Sequence, residues 1–300
     1  MSTATAPHPL RSSLRTAIDD YVTLTKPRIM LLILITAYGA MAFASDGLPS
    51  ARLTAITLFG LALSSGGASA LNHVLDRDID ARMRRTAMRP VAAGRVSPDA
   101  AAGFGIGLMA ASVAVLALYV NALTAGLALA GGLFYVIVYT WWLKRRTVQN
   151  IVIGGAAGAI PPLVGWAAVT GEVGLPALFM FAIVFYWTPP HFWALAILAK
   201  DDYAEAGVPM LPVVRGDRET ARQILLYTVL LVGLTVLPFL SQTFGVVYLV
   251  SAVALGGWFL VLAVRLLRDT SRANARAVFL YSLAYLALMF AAIGVDRINL

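Results

Sequence analysis

The chain contains no cysteine, only three histidines, and only 13% charged residues. Without cysteine there is no disulfide, no thiolate nucleophile and no cysteine-ligated metal; the absence carries no information about compartment. Scarce charge goes with 60% hydrophobic residues and a mean hydropathy of +0.80 over 300 residues. That is too apolar for a soluble domain and too long for one anchor, which leaves a polytopic all-α membrane protein. The net charge of +8 would suit nucleic acid in a soluble chain. In a membrane protein its sidedness matters more, and no nucleic-acid partner is expected.

Apolar runs of about 20 residues, long enough to cross a bilayer, fall near 29–45, 53–71, 101–120, 122–142, 150–170, 174–199, 224–241, 245–264 and 277–295. Nine spans are predicted, with tight hairpins at Asn121 and at Ser241–Gly245. The first 28 residues are polar and reach the first run too late for a signal peptide, so 1–28 reads as a retained tail. His8 lies in it and is given no role. Counted by alternate loops, 21 of the 23 lysines and arginines share one side, and only Arg52 and Arg297 fall on the other. The positive-inside rule makes that side, with the N-terminus, cytoplasmic. Twelve of the fifteen acids share it, concentrated in the two long loops after spans two and six. The four-span spacing of those loops hints at a duplicated four-helix unit.

The first of these loops begins NHVLDRDID at 72–80. Asn72, Asp76 and Asp80 recur every fourth residue and project from one helical face, oxygen ligands suited to a hard cation such as Mg²⁺. Asp78 points away and pairs with Arg82 at i,i+4. The second loop carries Asp201, Asp202 and Glu205 before Gly207 and Pro209. Acids at a helix C-terminus oppose the macrodipole, and a metal ion would offset that. Each cluster alone is weak evidence, since an acidic helix end or an arginine-rich loop is ordinarily a solvated surface; two on one face are stronger. His191 lies in span six beside Pro189 and Pro190, ten residues before Asp201 and so about 15 Å deeper. A histidine at that depth is a functional candidate, the competing reading being a satisfied residue at a kink. His73 points away from the metal face by roughly 100°.

With LTKPRI at 24–29, NHVLDRDID at 72–80, RTAMRP at 85–90, YTWWLKRRT at 139–147, GAIPPLVGW at 158–166, WTPPHFW at 187–193 and KDDY at 200–203 followed by AGVPMLPV at 206–213, the chain resembles the UbiA family of intramembrane prenyltransferases. Its haem-modifying branch is the nearest match. These segments cover about two-thirds of the chain; the last three spans match in hydropathy only. The resemblance implies a UbiA-type nine-helix bundle, with residues 29–300 as one intramembrane prenyltransferase domain in a bacterial inner or plasma membrane. It implies a Mg²⁺-dependent reaction in which a farnesyl group passes from farnesyl diphosphate to a vinyl group of haem B. Asn72, Asp76, Asp80, Asp201 and Asp202 would hold metal. Glu205 falls at a variable position of the pattern and ranks below them. Arg84, Arg85, Arg89, Lys144, Lys26 and Arg28 would clamp the diphosphate, with Asp76, Asp80 and Lys144 catalytic. His191, His73, Trp187 and Trp193 would contact haem. A haem A synthase or terminal-oxidase assembly would be the protein partner. The family also contains enzymes that prenylate aromatic acids or quinone precursors; WTPPHFW and AGVPMLPV argue against that acceptor. A transporter with an intramembrane cation site would carry its acids near the midplane, which this sequence does not do.

Overall fold

The computed structural model describes residues 14–45 and 48–298. His8 and Arg11 of the tail, Asp46 and the last two residues lie outside the described residues, as do the side chains of Arg297 and Ile298. The helices are α1 (Leu14–Leu24), α2 (Pro27–Ala44), α3 (Ala51–Leu75), α4 (Arg77–Arg82), α5 (Pro98–Tyr119), α6 (Ala122–Leu133), α7 (Asn150–Thr170), α8 (Leu175–Leu198), α9 (Lys200–Glu205), α10 (Leu211–Leu240), α11 (Val246–Arg268) and α12 (Arg272–Ile298). A π-helical segment, Phe134–Leu143, prolongs α6 to the end of its span. Among the described residues nine helices are long and apolar enough to cross a membrane, in the order the hydropathy predicts.

Most spans pack on the next, and α12 returns against α2, so the helices close into a ring with α7 and α8 the most buried. Small residues bring helix axes together where lipid supplies no hydrophobic drive. A Cβ built on Gly67 of α3 would lie 2.5 Å from the Gly105 carbonyl of α5, and one on Gly165 of α7 would run into the Ala37 carbonyl of α2. Buried hydroxyls bond across helices, Ser64 Oγ to the Ala128 carbonyl (2.8 Å) and Ser112 Oγ to the Gly60 carbonyl (2.6 Å). Asn121 closes the α5–α6 hairpin: it caps Thr124 N–H and donates to the Ala167 carbonyl, both at 2.8 Å.

Two parts read as irregular are helical. Residues 14–24 of the tail form α1, whose Asp20 is bonded by Arg95 at 3.0 and 3.1 Å. Span seven begins at Leu211 instead of 224, bending at Gly216 where φ is +81°. Arg215, Asp217, Arg218, Glu219 and Arg222 lower the hydropathy of that stretch, yet all but glycine are compatible with helix. The loop after span six is therefore largely α9 and the first turns of α10.

Candidate active site

Contacts between distant loops gather the ends of the spans that carry Asp20, Lys26, Asp76, Arg95, Lys144, Lys200 and Arg272 at one end of the bundle. At its centre α3 reaches Asp76 and turns: φ −92° and ψ 2° leave the α region, and α4 starts at the next residue. The spacing of the motif survives the turn, because Asp76 N–H bonds the Asn72 carbonyl (2.9 Å) and Asp80 N–H bonds the Asp76 carbonyl (2.7 Å). Asn72, Asp76 and Asp80 are 3%, 0% and 2% exposed, so each needs partners.

Those partners are cations from three separate elements. Lys144 Nζ donates to Asp76 Oδ2 at 2.5 Å, and Asn72 Nδ2 donates to the same oxygen at 2.8 Å. Arg89 Nη1 bonds both Asp80 oxygens, at 2.9 and 2.8 Å. Lys26 Nζ donates to Asn72 Oδ1 at 2.6 Å. Lys26 joins α1 to α2 in the left-handed region (φ +52°), an uncommon conformation for a side chain of this kind. Pro27 follows it and bars right-handed helix there. Burial, followed by the charge of Arg89, draws the Lys26 ammonium down to about 7. Three basic side chains, Lys144 buried and Lys26 and Arg89 half-buried, thus surround two buried carboxylates.

Sequence reasoning missed several residues of this cluster. Thr140 Oγ1 accepts from Asn72 Nδ2 at 3.0 Å, and Tyr135 Oη lies 3.5 Å from Lys26 Nζ. Tyr135 and Tyr139 stack with centroids 5.5 Å apart. All three lie in the π-helical segment, whose last turn bonds Lys144 N–H to the Tyr139 carbonyl five residues back. The signal available in the sequence was polar atoms at 135, 139 and 140 inside an otherwise apolar span. Such π segments recur at functional sites.

The remaining candidates lie elsewhere. Arg84 and Arg85 are exposed; with Asp201, Asp202, Glu205 and Arg272 they line a surface cavity of about 500 Å³. Arg85 N–H reaches Asp202 Oδ2 at 3.4 Å. The five expected metal ligands therefore form two groups. Among the described residues no three acidic or histidine side chains stand together as a metal cluster. Asp201 and Asp202 occupy the first turn of α9, not the last turn of a long helix. There the macrodipole favours them, and no compensating cation is required. Asp78 pairs with Arg145 at 2.6 Å instead of Arg82. That hydrogen bond holds its carboxyl down to about 2. Arg28 is exposed, away from the ligands of Lys26.

His73 is 1% exposed, and among the described residues neither ring nitrogen has a partner. His191 is stacked between Trp187 (4.4 Å) and Phe279 of α12 (4.9 Å). Trp187 Nε1 donates to the Ser282 carbonyl at 2.7 Å. Trp193 packs edge-on against Tyr227, apart from the His191 stack.

The sequence profile of the UbiA prenyltransferase family matches residues 33–292. The chain belongs to the UbiA prenyltransferase family. This UbiA chain is 53% identical over 288 residues to a protoheme IX farnesyltransferase of Gloeobacter violaceus, covering 96% of this chain and 94% of the relative. A protoheme IX farnesyltransferase of Symbiobacterium thermophilum is 54% identical over 281 residues, 93% of this chain and 94% of that protein. One from Roseiflexus sp. is 50% identical over 94% of this chain, but the chain spans only 53% of its length. Among solved structures, one of digeranylgeranylglyceryl phosphate synthase superposes with a TM-score of 0.77 at 19% identity, covering 94% of this chain and 99% of that one. A UbiA homologue from Archaeoglobus fulgidus bound to DMAPP and Mg²⁺ gives 0.69 at 18%, covering 92% and 99%. At such identities the likeness speaks for the fold.

Proposed function

We propose that this protein transfers a farnesyl group from farnesyl diphosphate to a vinyl group of haem B, giving haem O with a hydroxyethylfarnesyl side chain. The cluster of Lys26, Arg89 and Lys144 around buried Asn72, Asp76 and Asp80 carries the reading. It is an anion site at the mouth of an apolar bundle, which suits a diphosphate with an isoprenoid tail. The acceptor is taken from the full-length relatives, which are named for protoheme IX.

Departure of the diphosphate breaks the bond between the allylic carbon and oxygen. Lys144, Arg89 and Lys26 neutralise the charge that develops on the leaving oxygens. Binding of the diphosphate raises the Lys26 affinity for its proton, so the lysine is charged when needed. The stacked rings of Tyr135 and Tyr139 present electron-rich faces beside the cluster. Burial keeps water from quenching the allylic cation before the vinyl carbon bonds to it. Water then adds to the resulting cation on the haem side chain and a proton leaves, giving the hydroxyl.

The residues fit a divalent ion. Among the described residues Asp76 Oδ1 is buried without a partner, and a hard cation is the ligand an idle carboxylate oxygen takes. Mg²⁺ held by Asp76, Asp80 and Asn72 would supply Lewis-acid neutralisation of the diphosphate. Asp201 and Asp202, across Arg84 and Arg85, would hold a second ion or the distal phosphate's metal. The distribution of basic residues supports a cytoplasmic position for this end of the bundle, and the bacterial relatives support a bacterial plasma membrane. Haem A synthase or oxidase assembly would take the product.

The test is direct. Membranes holding the protein, supplied with haem B, farnesyl diphosphate and Mg²⁺, should form haem O on chromatography. Asp76→Ala should abolish turnover with the protein still inserted. Unchanged haem B beside a prenylated benzoate or quinone precursor would overturn the acceptor.

A further inference from the structure

One serine on α12 determines the chemical form of a buried histidine on α8. Ser282 Oγ–H donates to the Phe279 carbonyl at 2.6 Å, a bond in which only the hydroxyl can be the donor. The same Oγ lies 2.7 Å from His191 Nδ1. With its single proton committed, the hydroxyl can only accept from the ring, so the hydrogen sits on Nδ1 and Nε2 carries a lone pair. The ring is also fixed in orientation. Trp187 and Phe279 cover its two faces at interplanar angles of 15° and 24°. Trp187, one turn earlier on α8, is pinned by its own bond to the Ser282 carbonyl. Nε2 has no hydrogen-bond partner among the described residues, yet it is not among the fully enclosed unpartnered atoms, as both nitrogens of His73 are. His73, by contrast, is enclosed with neither nitrogen partnered among the described residues. His191 is held by one nitrogen, with the other left open.

An Nδ1–H locked to an oxygen, with an open Nε2, is how proteins orient an imidazole toward a metal. We propose that His191 Nε2 binds the iron of the haem substrate, with Ser282 the positioning residue that fixes its tautomer. The inference rests on the haem reading above. The Nε2 lone pair forms the coordinate bond and the Nδ1 proton stays on the Ser282 side, so no proton moves. His191 stands seven residues before Leu198, the last residue of α8, about 10 Å deeper than that helix end by helical rise. Iron ligation there would hold the macrocycle within the bundle, deeper than the end of α8, and fix which of its edges meets the farnesyl carbon.

The experiment uses the purified full-length protein with ¹⁵N-labelled histidine, titrated with ferric haem B and read by absorption and by pulsed EPR. Saturable binding with a ¹⁵N coupling to iron is expected. The coupling should vanish in His191→Phe, which keeps an aromatic ring in the stack. In His191→Ala, added unlabelled imidazole should restore a nitrogen ligand. Ser282→Ala should weaken haem binding about 10- to 100-fold, the usual effect of losing an outer partner of a ligand. Absence of saturable haem binding to the unaltered protein would overturn the haem reading itself. Haem binding without the coupling, or a coupling that survives in His191→Phe, would overturn the iron ligand and leave the haem reading standing. If the His191 variants do not fold, Ser282→Ala decides, and unchanged haem affinity there counts against the proposal.

Discussion

Replacing Lys144 with methionine should strand a carboxylate. Asp76 is completely buried and the Lys144 side chain is 10% exposed, so the 2.5 Å pair between them is screened by almost no solvent. Removing one member of such a pair leaves a charge in low dielectric and costs about 3–5 kcal/mol. Asn72 Nδ2 remains on Asp76 Oδ2 at 2.8 Å, which sets the expectation at the lower end, about 3 kcal/mol. The Lys144→Met/Asp76→Asn double variant removes both charges and should recover most of that loss, since exchanging a buried pair for neutral groups is often near neutral. Reversible unfolding in mixed micelles supplies the free energies, and haem O formation is read on the same preparations. Stability should fall and then return across the series, while turnover is lost at the first substitution and stays lost. A single variant within about 1 kcal/mol of the unaltered protein, or a double variant no more stable than the single, would refute the claim that this pair is a desolvated unit.

Arg89→Lys keeps the charge but loses the two-oxygen grip on Asp80; the KM for farnesyl diphosphate should rise about tenfold or more, as expected for a charge-assisted bond worth about 1.5–3 kcal/mol. Gly165→Ala would press a methyl group against the Ala37 carbonyl and should destabilise the α2–α7 contact by about 1–3 kcal/mol, seen as earlier unfolding with KM unchanged in the surviving fraction. Asp78 has a folded-state pKa of about 2 against an ordinary 3.8, so its contribution is complete above about pH 4 and is lost as the pH falls toward 2. The pair is half exposed, which limits that contribution to less than about 1 kcal/mol. Asp78→Asn should flatten stability over that window alone.

The spans were legible because bilayer thickness imposes a length and hydropathy that any sequence must display. Asn72, Asp76 and Asp80 were legible because their spacing matches the backbone ladder that still links them through the turn at Asp76. What stayed hidden depends on partners distant in sequence. Nothing local to Lys26 says that it meets Asn72 while Arg28, two residues on, stays outside. Nothing local to Asp78 reveals Arg145, 67 residues away. The assignment of Asp201 and Asp202 to a helix end stopped by Gly207 and Pro209 did not anticipate the break at Ala199 that ends α8. It was wrong about which helix they belong to, because a six-residue helix has too little periodicity to be read. Thr140, Tyr135 and Tyr139 were hidden because they lie within an apolar span and their partners, Asn72 and Lys26, are distant in sequence.

The π-helical winding of Phe134–Leu143 has a consequence for how this span can change. Upstream, Gly131 and Gly132 of α6 seat the helix against Ile160 and Met109. Downstream, Thr140 and Lys144 address Asn72 and Asp76. A stretch of i→i+5 hydrogen-bonded helix separates the two ends, so the azimuth of Lys144 is set by the number of residues wound into 134–143, independently of how α6 is seated. Adding or removing one residue there would swing the ammonium around the helix and leave the glycine contacts in register. The segment works as an adjustable coupling between scaffold and chemistry, in which residue count, more than residue identity, is the variable.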